Sequence, residues 1–186
     1  MMPEISLNVL DIAQNSIKAL STFIQIFVHI DYSKDTLTIK IEDNGIGMTK
    51  EEVKKALDPF FTKRKTRDVG LGIPFFKESC EITNGKFDIK STKDIGTTLE
   101  ARYNMSHINM LPLGDINDTI YTLIIFNTKI DFYYEYKVTK KNKQEKSFNL
   151  STKEIKNILG DISLESIEVS NFIKEYLKEN KMEVDK

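Results

Sequence analysis

The chain has 186 residues, 40% of them hydrophobic, with 27 Lys and Arg against 28 Asp and Glu and a net charge of −1. That length carries one domain, or one of ordinary size beside a smaller second one, and the near-neutral balance gives no overall pull toward nucleic acid or a membrane surface. The single Cys80 excludes an internal disulfide, and no Cys/His set has zinc spacing.

Met1–Leu10 lacks the basic start and apolar run of a secretory leader. The most apolar stretches, Phe23–Ile30 and Thr122–Phe126, are too short to cross a bilayer, so a cytoplasmic protein is expected.

Leu7, Leu10, Ile12, Ala13, Ile17 and Leu20 recur at helical spacing and predict a helix over Ile5–Leu20. Ile24, Ile26, Val28 and Ile30 then alternate, as do Leu37, Ile39 and Ile41, which predicts two strands joined as a hairpin through 31–35. Thr49-Lys50-Glu51-Glu52 is a capping box opening a short helix to about Leu57. Residues 58–69 have no period and read as a loop. A second helix starts near Gly72, accepts Pro74 in its first turn and stops at Asn84-Gly85. Phe87–Ser91 and Thr97–Tyr103 predict another hairpin.

Together these elements predict an α+β fold: a two-layer α/β sandwich whose mixed or antiparallel sheet is covered by helices on one face. Residues 105–118 read as a connector, with Pro112 and Gly114 marking turns. Thr119–Phe126 and Asp131–Thr139 then predict a strand pair, 140–146 a solvated loop, and Ser151–Gly160 a capped helix. A last amphipathic helix is expected over Leu164–Glu179, with Ile167, Phe172, Ile173 and Tyr176 inward and a frayed tail after it. The expected division is 1–104 and a small α+β domain over 105–186.

Three clusters carry chemistry. Asp43-Asn44-Gly45-Ile46-Gly47-Met48 follows a strand, so Asp43 arrives at a strand end while the glycines let the backbone turn sharply and approach a ligand. A carboxylate there can accept from an exocyclic amine such as that of adenine; the same residues also suit an ordinary strand-to-helix turn. Asp11, Asn15 and Lys18 fall at i, i+4 and i+7 on the first helix, a set suited to a magnesium–phosphate group, or to a plain solvated face. Lys63, Arg64, Lys65 and Arg67 place four cations in five residues just before Gly70-Leu71-Gly72, where a helix opens. Backbone N–H groups and forked Arg donors favour phosphate there; the same run also suits a basic surface loop, although two of the chain's three Arg fall in it.

Asn15 with its flanks resembles the N box, Asp43–Gly47 the G1 box, Pro59-Phe60-Phe61-Thr62 the F box, Gly70-Leu71-Gly72 the G2 box, and Gly96-Thr97-Thr98 the last glycine–threonine motif of one family. That family is the ATP-binding domain shared by gyrase, Hsp90, histidine kinases and MutL, with its Bergerat-type fold, and the Pro-Phe-Phe-Thr stretch resembles the histidine-kinase branch. The resemblance implies ATP and Mg2+ as ligands. It implies that Asp43 binds the adenine amine with Thr97 in support, and that Asn15 coordinates magnesium. Lys18, Thr62, Lys63, Arg64, Lys65, Gly70, Leu71 and Gly72 would surround the phosphates, and Gly45, Gly47 and Met48 the base.

Asp11 stands where hydrolysing members of the family carry Glu, and so implies a weak general base; Asp68 stands where a further glycine is usual. The resemblance further implies signalling or regulation through a protein partner in trans. Three outputs stay open: a kinase, a nucleotide-dependent regulatory module, and a slow ATPase subunit. The chain begins almost at the N box, so the phospho-acceptor helices of a sensor kinase are not expected. His29 and His107 are expected as ordinary histidines.

Overall fold

A computed structural model describes residues 2–59, 71–160 and 162–186. The chain opens with α1 (Ile5–Lys18), whose Ile5, Val9, Ile12 and Ala13 are buried at helical spacing. β1 (Phe23–Asp31) and β2 (Thr36–Asp43) pair antiparallel with Ile26 opposite Ile41. Their turn is fixed by Asp31, whose Oδ1 accepts from Ser33 N at 3.0 Å, Ser33 Oγ at 2.6 Å and Lys34 N at 3.1 Å.

The capping box forms at the start of α2 (Lys50–Ala56): Glu52 N donates to Thr49 Oγ1 at 3.2 Å, and Thr49 N donates to Glu52 Oε2 at 2.8 Å. These bonds from Thr49, backbone first, hold the Glu52 carboxyl below its usual range. α3 (Gly72–Glu81) leads to the hairpin of β3 (Lys86–Thr92) and β4 (Gly96–Asn104).

Beyond residue 105 the structure departs from expectation. Residues 119–126, expected as a strand, belong to α4 (Ile116–Phe126). Asp115 caps it by accepting from Asp118 N at 3.0 Å, and Ile116, Thr119, Ile120, Leu123 and Ile124 are buried at i, i+3, i+4, i+7 and i+8. A helix buried over so broad a stripe leaves a continuous apolar run, which periodicity alone does not separate from a strand.

β5 (Asp131–Thr139) then lies parallel to β1, Ile26 opposite Tyr134, and α4 belongs to the crossover that a parallel pair requires. β6 (Glu145–Ser151), absent from the sequence reading, pairs with β5 through Tyr134 and Leu150. The strand order is β3-β4-β2-β1-β5-β6, one mixed sheet of six. Residues 105–186, expected as a small domain of their own, thus share the sheet and the core of the first hundred, because β5 extends the β1 edge.

α5 (Thr152–Leu159) is capped as expected, with Glu154 N donating to Ser151 Oγ at 3.3 Å, and stops at Gly160 with φ of +59°. α6 (Ile167–Asp185) runs through the segment expected to fray. Val184 is buried, Tyr136 Oη donates to Asp185 Oδ1 at 2.8 Å, and Lys146 Nζ donates to the Glu183 carbonyl at 3.1 Å, which together hold its last turn on β5 and β6. Ile173 and Leu177 face inward, whereas Ile167 and Phe172, expected inward, are exposed.

One face of the sheet presents Ile24, Ile26, Val28, Leu37, Ile39, Ile41, Leu99, Ala101, Phe132, Tyr134 and Leu150 to α1, α3, α4 and α6. Gln25, Phe27, His29, Lys40, Tyr133 and Lys137 occupy the half-exposed reverse face. Among the described residues no helix is long and apolar enough to cross a membrane.

Candidate functional site

The site grows from the end of β2. Asp43 lies opposite Thr97 of β4, and its carboxylate is anchored twice: Ser16 Oγ of α1 donates to Oδ2 at 2.7 Å, and Gly45 N donates to Oδ1 at 2.9 Å. Two such bonds leave acceptor capacity on an ionised carboxylate, which offers about four lone-pair sites. Asn44 ties the turn to β1, its Oδ1 accepting from Thr22 N and Phe23 N, each at 2.9 Å. The chain then doubles back through Gly47 at φ +58°, where a Cβ would lie 1.9 Å from the Thr92 carbonyl oxygen. Only glycine takes that conformation and that proximity together.

The backbone beyond is held by a hydroxyl pair. Met48 N donates to Ser91 Oγ at 2.8 Å, and Ser91 Oγ lies 2.8 Å from Thr97 Oγ1. Thr97 is therefore fixed beside Asp43 by its cross-strand neighbour Ser91.

A cavity of about 250 Å³ opens at this point, lined by Ile12, Asn15, Ser16, Ala19, Asp43, Ile46, Gly47, Met48, Ile73, Thr97 and Leu99. Its walls are mostly aliphatic, with a few convergent polar groups, the usual make-up of a small-molecule site. At the mouth, α3 begins against α1. A Cβ at Gly72 would come 2.1 Å from Asp11 Oδ2 and 3.4 Å from Asn15 Nδ2, so the absent side chain lets helix start, carboxylate and carboxamide meet.

Of the residues singled out in the sequence, Asn15, Asp43, Gly47, Met48 and Thr97 line this cavity together. Gly45 lies behind it, where a Cβ would meet the Ala19 carbonyl oxygen at 2.6 Å. Gly72 with Asp11 marks its mouth, and Leu71 precedes the first turn of α3. Lys18 does not line it; that residue borders a separate groove between α1 and α4 with Leu10, Gln14 and Phe126. Phe60, Phe61, Thr62, Lys63, Arg64, Lys65, Arg67, Asp68 and Gly70 lie outside the described residues.

Ser16 and Ser91 escaped the sequence reading. The signal for Ser16 was its place next to Asn15 on a face turned toward β2; for Ser91 it was the register opposite Thr97. His29, whose Nε2 lies 2.8 Å from Thr139 Oγ1, sits on the reverse face of the sheet, and His107 lies past the end of β4. Burial pushes the Cys80 thiol up to about 12, which leaves it protonated and inert as a nucleophile.

Residues 4–107 match the family of histidine kinase-, DNA gyrase B-, and HSP90-like ATPases, more than half of the chain. The chain belongs to this family. Within this histidine kinase-like ATPase family it is similar to the cell-division control histidine kinase PdhS of Brucella anthropi, 31% identical over 108 residues, which is 50% of this chain and 10% of that protein. It is likewise similar to sporulation kinase E of Bacillus subtilis, 33% identical over 100 residues, covering 51% of this chain and 13% of the kinase. The chain thus matches about a tenth of the length of these relatives.

Among solved structures, the N-terminal domain of a DNA repair protein is similar with a TM-score of 0.55 at 18% identity, over 86% of this chain and 58% of that one. The fold it shares with the chain covers more residues than the family match and so reaches beyond residue 107.

Proposed function

We propose that the chain binds Mg-ATP in the Asp43 cavity and uses it to phosphorylate or switch a protein partner in trans. The observation that carries this reading is the doubly anchored Asp43 carboxylate at the floor of an aliphatic pocket whose mouth holds Asn15 and the glycine-led start of α3.

The residues present fit the nucleotide. Asp43 retains lone pairs for an exocyclic amine, Thr97 stands beside it, and Ile12, Ile46, Met48 and Leu99 offer apolar surface to a purine. At the mouth, backbone N–H groups at the start of α3 favour phosphate, and Asn15 is the residue that would hold magnesium. Magnesium, when bound, offsets charge on the phosphates. By resemblance to the family, Lys63, Arg64, Lys65 and Gly70 would meet the phosphates. Asp11, which lies against Gly72, would act as a weak general base toward a nucleophile, with a shorter reach than Glu. Residues 105–186 supply a surface for the partner.

The test is incubation of the purified chain with terminally labelled ATP and proteins encoded beside it. Label on a partner supports transfer, free phosphate a slow ATPase, and tight binding with neither a nucleotide-dependent switch. Asn15→Ala is expected to abolish the magnesium dependence of binding. If Asn15→Ala and Asp43→Asn both bind ATP like the parent, the assigned cavity is wrong.

A further inference from the structure

On the side of the molecule built by its last two helices, an apolar groove of about 520 Å³ runs between α5 and α6, lined by Ile155, Ile158, Leu159, Ile162, Val169 and Phe172. Ile158 is 85% exposed, Ile162 57% and Phe172 55%, so the groove holds large aliphatic and aromatic surface that this chain leaves uncovered. A contiguous apolar patch of this kind, rimmed by polar groups, marks an interaction site more often than isolated exposed residues do.

The charge along α6 says what covers it. Glu168, Phe172, Glu175 and Glu179 fall at i, i+4, i+7 and i+11 and therefore share one stripe of the helix, with Glu168 itself on the groove wall. Glu168, Glu175 and Glu179 are exposed, and among the described residues none of them enters an ion pair. Two lysines of the same helix are turned away: Lys174 Nζ stands 5.4 Å from the centre of the Tyr121 ring, and Lys181 Nζ stands 5.1 Å from that of Tyr136, while Lys178 is exposed beside Glu179. The groove thus combines apolar walls with an unneutralised acidic rim on one side.

We infer that this groove docks an amphipathic helix of a partner protein, its leucine-like face against Ile158 and Phe172 and its lysines or arginines along Glu168, Glu175 and Glu179. Helix-in-groove recognition reads anchors at i, i+3 or i+4 and i+7, the spacing that two antiparallel or crossing helices offer each other. Rim charges of opposite sign steer the encounter and fix which way the helix lies. This inference deepens the partner-facing part of the proposed function, yet its experiment needs no nucleotide, so its failure leaves ATP binding standing.

The probe is a labelled helical peptide carrying Leu at i, i+3, i+4 and i+7 with Lys elsewhere, titrated into the full chain by fluorescence polarisation. A peptide with Glu in place of Lys is the control. The expected result is saturable binding of the Lys peptide alone, with amide-exchange protection confined to α5 and α6. The E168K/E175K/E179K variant is expected to weaken that binding about tenfold or more. Phe172→Gln is expected to weaken it with no loss of helical circular dichroism, which separates docking from folding. Equal affinity for both peptides, protection elsewhere on the chain, or self-association through this groove that Ile158→Asp dissolves would each overturn the proposal.

Discussion

The Ser16 hydroxyl donates to Asp43 Oδ2 at 2.7 Å, joining the residue after Asn15 on the first helix to the last residue of the second strand. The helix that offers a carboxamide at the cavity mouth therefore also orients the carboxylate at its floor.

Loss of that bond has a direct consequence for nucleotide affinity. A hydrogen bond to an ionised group contributes about 1.5–3 kcal/mol, so Ser16→Ala is expected to weaken ATP binding roughly ten- to a hundredfold. Asp43→Asn, of the same shape, is expected to lose preference for ATP over GTP. Calorimetric titration of both nucleotides checks each variant; unchanged affinity in Ser16→Ala would remove Asp43 from the binding surface.

Two glycines of the site are expected to respond in opposite ways. At Gly47 an added Cβ meets the Thr92 carbonyl, a backbone atom that does not yield, with φ at +58°. Gly47→Ala is therefore expected to destabilise the fold by about 1–3 kcal/mol or more. At Gly72 the added Cβ meets the carboxylate of Asp11, the end of a side chain that can rotate. Gly72→Ala is expected to keep its melting temperature within a few degrees and to lose magnesium-dependent nucleotide affinity. Thermal melts beside nucleotide titrations distinguish the two.

Leu20 is 76% exposed at φ +61°, just after the end of α1, a left-handed position where glycine is usual. The left-handed conformation costs a side-chain-bearing residue about 1–2 kcal/mol. Leu20→Gly is expected to raise the melting temperature, an unusual outcome for a leucine-to-glycine change, because no buried contact is lost. A drop instead would show that Leu20 contributes packing its exposure conceals.

The hairpin turn carries an acid-sensitive element. Burial alone would push the Asp31 carboxyl up, but hydrogen bonds from Ser33 and Lys34 and the Lys34 charge outweigh it and hold the group at about 2. A carboxyl lowered from its ordinary value near 3.9 contributes stability that is complete above that value and is lost as pH falls toward 2. The melting temperature of the parent is expected to decline through that window. Asp31→Asn is expected to start lower at neutral pH and to show a shallower decline, as read by melts across the acid range.

How far the sequence carried depended on how local each signal was. The capping box at Thr49, the alternation in β1 and β2 and the glycine-led turns after Asp43 are written in adjacent residues, and each appeared in place. The helix over Ile116–Phe126 was missed because it is buried across a broad stripe, and β6 because Glu145, Ser147 and Asn149 point outward and mimic a loop. The site was legible through Asn15 and Asp43, which meet in one cavity. It was not legible through Lys18, where helical spacing put the lysine near the stripe but could not say that α4 draws it into a different groove. The Ser91–Thr97 pair depended on strand register, which no single segment reveals.

The parallel partnership of Phe23–Asp31 with Asp131–Thr139 has a further effect on how the molecule comes into being. β1 emerges early in synthesis, and the strand that satisfies one of its flanks follows about a hundred residues later. Until then its apolar face and unpaired amides form an open template for other chains. A fragment cut after Met105 would keep every cavity-lining residue and still be expected to aggregate, so expression of the cavity calls for β5 as well.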